Sequence, residues 1–121
     1  MRVLRLAWLG IAADEPQAMS DFLRDTLGLK VEFEQPQTVE FSTAQDDRVQ
    51  VFGPGHRYFD LFRANAGGPV ALFEVDDVAA AREELDRASV ELVGDLESDS
   101  AWEWFNFRAP DGNFYALASR R

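Results

Sequence analysis

The order of periodicities along the chain constrains its fold more than any other feature. An apolar run, a helical stretch and three alternating runs occur once, and the same order then begins again. Val3 to Ala13 carries Leu, Ala, Trp and Ile with no breaker but Gly10, the pattern of a strand buried on both faces. Asp14 or Glu15 can then cap a helix, and Pro16 suits its first turn. Met19, Phe22, Leu23 and Leu27 recur at helical spacing before Gly28 offers a left-handed stop, which predicts a helix of about three turns. Val31 and Phe33, Val39 and Phe41, and Val49 and Val51 each alternate with polar neighbours, as three short strands do. Past Gly67-Gly68-Pro69 the order returns. Val70 to Val75 is strand-like, Asp77 can cap, and Val78, Ala81, Leu85 and Ala88 share one side of a helix. Val90 to Val93 follows as a short strand and Trp102 to Phe107 as a longer one. Pro110-Asp111-Gly112-Asn113 then supplies turn residues before Phe114 to Ala118. Tyr58 to Arg63 fits neither module and reads as an extra strand or an aromatic-bearing loop at the seam.

A period of roughly sixty residues is too long for a solenoid repeat and suggests pseudo-twofold pairing of two βαβββ modules. They fall at about residues 1–65 and 68–121 of one domain, 1–121. The expected fold class is α+β: two modules forming a curved, barrel-like mixed sheet with helices on the outside, its concave side enclosing a pocket.

The balance of charge narrows the partners. Twelve Lys and Arg against twenty-two Asp and Glu leave a net charge of −10, which repels phosphate backbones and anionic lipid. No basic patch offsets it, so neither nucleic acid nor a membrane is expected as a partner. The acidic excess gathers in the second module and would favour cationic small molecules. The absence of cysteine excludes disulfides, thiolate metal sites and a cysteine nucleophile. Leu6 to Ala13, the longest uncharged apolar stretch near the start, is far too short to span a bilayer and precedes no secretory cleavage pattern, so the chain reads as cytoplasmic.

Three segments carry a family resemblance: Trp8-Leu9-Gly10-Ile11-Ala12 followed by a helix ending Leu27-Gly28-Leu29; Phe73-Glu74-Val75-Asp76-Asp77-Val78; and Ala109-Pro110-Asp111-Gly112-Asn113. In this order on a duplicated plan, the chain resembles the glyoxalase, bleomycin-resistance and extradiol-dioxygenase group, the vicinal oxygen chelate superfamily. That group includes lyases, epimerases, dioxygenases, thiol transferases and proteins that only bind a drug. The resemblance implies four metal-ligand positions on four strands. They correspond here to Trp8, to Gln50 or else Asp60, to Val70 and to Ala116. Indole, isopropyl and methyl groups offer no donor atom, and one amide cannot hold a divalent ion, so no metal and no cofactor is expected.

Taking Trp8 as inward, alternation turns Gln50, Phe52, Val70, Leu72, Glu74, Phe114, Ala116 and Ala118 toward the concave face. On Trp102 to Phe107 two parities stay open: Trp102, Trp104 and Asn106 face the pocket, or Phe105 and Phe107 do. The expected ligand-binding set is Trp8, Gln50, Phe52, Val70, Glu74, Trp102, Trp104 and Ala116, an apolar and aromatic lining suited to flat ligands. The plainer reading is that such aromatics fill a small core. Glu74 is the one carboxylate that parity places inside; it could act as a general base or reach solvent at a strand end. His56, the sole histidine, sits in a Gly-Pro-Gly loop, where exposure is its plain role. These features point to metal-independent binding or sequestration of a hydrophobic or aromatic small molecule by a homodimer, as related chains commonly pair. The alternative is a glyoxalase- or dioxygenase-like enzyme, a lyase, isomerase or oxygenase, acting on a small substrate with Glu74 or His56 as base. A third option is a pocket collapsed around its own aromatics.

Overall fold

A computed structural model describes the whole chain, Met1–Arg121. The elements in order are β1 (Val3–Ala12), α1 (Pro16–Asp21), β2 (Lys30–Gln35), β3 (Thr38–Ser42), β4 (Arg48–Phe52), α2 (Phe59–Arg63), β5 (Val70–Val75), α3 (Val78–Arg87), β6 (Glu91–Ser98), β7 (Trp102–Arg108) and β8 (Phe114–Arg120). The eight strands combine parallel and antiparallel pairs in an open, mixed arrangement, with β2 and β6 at free edges, so the fold is α+β. No helix is long and apolar enough to cross a membrane. The chain divides into two compact units, Trp8–Val70 and Met1–Ala7 with Ala71–Arg121. The division falls inside β1 and at the start of β5. The first seven residues therefore group with the C-terminal half, which the contiguous repeat in the sequence does not suggest.

In the Trp8–Val70 unit the strand order is β2-β3-β4-β1, with β1 parallel to β4 and the other pairs antiparallel. Leu23, Phe41 and Val51 are its buried centre, wrapped by Met19, Leu29, Val39 and Val49. Pro16 opens α1 as expected, but regular helix ends at Asp21 and the backbone widens into a π turn over Phe22–Thr26. Leu27 N–H donates to Phe22 O at 3.0 Å to close it, and Gly28 at φ +73° ends the segment. A π turn inserts one extra residue and so rotates the side chains after it around the helix axis. Phe22 and Leu27, which helical spacing places with the core, are instead exposed. Residues 59–63, left as strand or loop by their sequence, form the short helix α2, with Phe59 and Phe62 buried and Asp60 exposed.

The Gly53-Pro54-Gly55 loop is clamped to the β2–β3 turn. Gly53 N–H donates to Gln37 O at 2.8 Å, and Gly55 N–H to Gln37 Oε1 at 3.3 Å. A Cβ on Gly53 would stand 2.4 Å from that amide oxygen, so a larger residue would displace the Gln37 side chain and cost the Gly55 hydrogen bond.

In the other unit the strand order is β5-β8-β7-β6, with β5 parallel to β8 and the rest antiparallel. Asp77 caps α3 by accepting from Ala80 N–H at 3.0 Å, which orients the face that buries Val78 and Ala81 on Val75, Phe105 and Leu117. β6 outlasts the short strand expected because Gly94, at φ +72°, and a register shift between Val93 and Glu97 make a bulge where the apolar run stops. Truncating fully buried Phe105 to Ala should lower the free energy of unfolding by about 3–5 kcal/mol. Asp77→Ala should lower it by about 1 kcal/mol through loss of the cap. Urea unfolding followed by circular dichroism reads both.

Candidate functional site

Paired residues on neighbouring strands share a face, so register shows what each surface carries. In the Trp8–Val70 unit, Trp8 lies opposite Arg48, Gly10 opposite Gln50 and Ala12 opposite Phe52. On the far side of β4, Phe52 faces Thr38, Gln50 faces Glu40 and Arg48 faces Ser42. The Trp8 indole N–H donates to Gln50 Oε1 at 3.2 Å, and Gln50 Nε2 donates to Thr38 Oγ1 at 2.8 Å. The Thr38 hydroxyl donates onward to Val51 O at 2.9 Å. Because an indole N–H only donates, this chain fixes which way the Gln50 amide points.

Gly10 makes the indole's position possible. A Cβ there would lie 2.2 and 2.6 Å from the six-membered ring of Trp8 and 3.0 Å from Phe62. The ring is met edge-on by Phe52 and Phe62, both at 5.9 Å between centroids, and Tyr58 stacks on Phe62 at 5.2 Å. A hollow of about 220 Å³ opens nearby between Phe62, Arg63, Asn65 and the end of β1 at Ile11 and Ala12; none of the eight expected ligand-binding residues lines it.

These residues do not fit a metal. Trp8, Val70 and Ala116 lack donor atoms, and the amide oxygen of Gln50 already accepts from Trp8. Asp60, the other reading for the second position, is an exposed residue of α2. No group of three or more His, Asp or Glu side chains converges anywhere in the chain. The tryptophan thus offers no donor atom to an ion and occupies the amide oxygen of Gln50.

In the Ala71–Arg121 unit, Phe105 and Leu117 pack against α3, which settles the open parity of β7: Trp102, Trp104 and Asn106 lie on the opposite face. There Leu72 pairs with Ala116 and Glu74 with Ala118; across β8, Ala116 faces Asn106, Ala118 faces Trp104 and Arg120 faces Trp102. Glu74 is 8% exposed and does not reach solvent as a strand-end acid would. Its oxygens meet Arg5 Nε at 3.0 Å and Arg120 Nε at 3.4 Å, and the Arg120 guanidinium lies 4.6 Å above the Trp102 ring. Two cations on one carboxylate make an ion-pair anchor.

His56 is half-buried rather than exposed, its ring 4.7 Å from Phe52. Its Nδ1 accepts from Tyr58 N–H at 3.1 Å, so the neutral ring carries its proton on Nε2 and is a donor. Burial, then the nearby Arg57 charge, lowers its pKa below the ordinary histidine value.

The carboxylate that parity counting omits is Glu40. Directly opposite Gln50, it shares the face of Trp8 and Phe52, with its side chain 13% exposed and Arg48 Nη1 3.6 Å away. The signal was present in the alternation of β3: if Val39 and Phe41 enter the helix-side core, Glu40 between them must face the other way.

Gly10→Ala should drive the indole off the strand, seen as a red shift and loss of intensity in the Trp8 emission isolated in a variant lacking Trp102 and Trp104. A histidine whose folded pKa is lowered stabilises the fold above its unfolded pKa of about 6.5, and that contribution is lost as pH falls through the folded value. Removing His56 (His56→Phe) should therefore flatten the fall in stability below pH 6.5, measured by urea unfolding across pH.

None of the curated proteins matches the chain. Among solved structures it is similar to a glyoxalase/bleomycin resistance protein/dioxygenase superfamily member from Vibrio splendidus. That match has 20% identity, covers 96% of this chain and 98% of that one, and has a TM-score of 0.72. Methylmalonyl-CoA epimerase from Mycobacterium tuberculosis is 18% identical over 98% of this chain and 89% of that one, at a TM-score of 0.72. A mutant 4-hydroxymandelate synthase from Streptomyces coelicolor is 15% identical, matching 99% of this chain and 49% of that one at a TM-score of 0.69. The model of one family matches residues 5–117, nearly the entire chain, and the chain accordingly belongs to the Glyoxalase/Bleomycin resistance protein/Dioxygenase superfamily.

Proposed function

We propose that this chain is an enzyme of lyase or isomerase type that moves a proton on a small organic molecule without a metal, with Glu40 as its acid–base group. The observation that carries this reading is the place of Glu40: opposite Gln50, on the face of Trp8 and Phe52, and largely out of water. Glu40 has an ion pair with Arg48 at 3.6 Å, whereas Glu74 is spanned by two arginines, and His56 presents an N–H rather than a lone pair. Proton transfer needs only a positioned carboxyl group, whereas the chelating and oxygen-activating chemistry of metal-dependent relatives needs donors that Trp8, Val70 and Ala116 do not have. The similarity to solved structures named as an epimerase and a synthase favours catalysis over sequestration. In this reading the half-buried side chains of Trp8 and Gln50 supply surface for a flat, apolar substrate in one unit, and Trp102 and Trp104 do in the other; Phe52, Val70, Glu74 and Ala116 are buried and offer none.

A second reading, sequestration of an aromatic molecule, is favoured by one observation: the Trp8, Phe52, Phe62 and Tyr58 rings form a continuous aromatic cluster, which the His56 ring joins against Phe52 and Tyr58. The two readings separate in D2O. Thioesters, 2-oxo acids and aromatic ketones with an acidic C–H are incubated with the protein, and proton NMR follows exchange or conversion. Turnover of at least one compound is expected, falling about 10²- to 10⁴-fold in Glu40→Gln. Saturable thermal stabilisation by a compound returned unchanged, equal in both proteins, would move the chain to the sequestering class.

A further inference from the structure

Asn106 lies mid-way along β7, directly opposite Ala116 of β8 and Val93 of β6, with Leu72 of β5 beyond Ala116. It is 4% exposed, yet its side-chain amide forms no hydrogen bond within the protein. The amide is not sealed in either, since the one polar side-chain atom both sealed and orphaned is Nε of Arg82. Thr38, Ser42, Glu74 and Ser119, which are also buried, are engaged, with Val51 O, Glu32, Arg5 and Val78 N–H respectively. An unpaired amide among alanine, leucine and valine is costly unless something completes it, because desolvation of both its donor and its acceptor goes uncompensated.

The surroundings indicate what would complete it. Ala116 and Ala118 present only methyl groups beside the amide, and Trp104, opposite Ala118, provides an aromatic wall in the next row. An asparagine amide offers an N–H and a carbonyl side by side, and the matching partner is a group with the same edge reversed. We propose that Asn106 is the polar anchor of a ligand subsite in this unit. Its partner would be the amide edge of a planar carboxamide, lactam or imide whose ring lies against the half-buried Trp104, over a floor in which Ala116 and Ala118 are themselves buried. The proposal rests on the proposed function only in that the chain takes up a small molecule, and it holds whether or not Glu40 turns that molecule over.

Benzamide, with toluene as a comparator of similar shape lacking the amide, tests it. Affinities are measured by NMR titration of ¹⁵N-labelled wild-type protein and Asn106→Leu. Benzamide should shift the Asn106 side-chain NH₂ pair saturably in wild type. Its affinity should fall about tenfold in Asn106→Leu, as loss of a buried hydrogen-bonding pair predicts, while toluene binds both proteins alike. The melting temperature of Asn106→Leu should stay level or rise, since no internal hydrogen bond is lost. Equal benzamide affinity in the two proteins, equal loss of both probes, or benzamide binding that leaves the NH₂ pair unmoved in wild type would each overturn the assignment to Asn106 while sparing the pocket. Failure of wild type to bind either probe would overturn the uptake of small molecules and this subsite together.

Discussion

The hydrogen bond from the Trp8 indole to the Gln50 amide is the constraint around which the candidate site is arranged. It requires Gly10, because any side chain there would occupy the space of the indole's six-membered ring. It also decides the chemistry, because the amide oxygen that could have met a ligand or an ion is spent on the indole, and the amide nitrogen is spent on Thr38. Around this fixed core Phe52 and Phe62 approach edge-on, which suits the charge distribution of the ring. The indole thus makes this part of the face apolar and takes up the neighbouring amide oxygen.

Electrostatics in the other unit follow a related logic. A chain with net charge −10 has few cations to place, yet two of its arginines, Arg5 and Arg120, meet on the single carboxylate of Glu74. Burying that acid without them would leave an uncompensated charge, and the pair also seats Arg120 over Trp102. Glu74 is therefore better understood as the post that holds the Trp102 end of β7 than as a reagent. Arg48 stands farther from Glu40, at 3.6 Å, than either arginine does from Glu74.

Much of this was legible in the residues alone. The alternation of apolar side chains and the capping signals of Pro16, Gly28 and Asp77 gave the α+β fold class. What sequence could not show came from three kinds of physics. Backbone irregularity was one: the π turn at Phe22–Thr26 and the bulge at Gly94 change which residues face inward without changing the apolar pattern. Short range was another, since Phe59–Arg63 is a helix too brief for periodicity to reveal. The third was pairing. That Glu40 faces Gln50, or that Asn106 rather than Phe105 faces away from α3, depends on strand register, and an aromatic-rich strand such as β7 alternates between two plausible cores.

The boundary inside β1 has a consequence for how such a chain could have arisen and could be taken apart. Arg5 reaches Glu74, and Asp76 N–H donates to Arg2 O at 3.4 Å, so the opening heptapeptide is committed to the later half. A cut at the glycine-rich seam near Pro69 would give a C-terminal fragment that keeps Arg120 but lacks Arg5, the nearer of the two partners of Glu74, while the N-terminal piece would keep the opening residues without theirs. To keep the contacts of its compact unit, a C-terminal half would need those seven residues grafted back, a rearrangement of connectivity rather than a shortening.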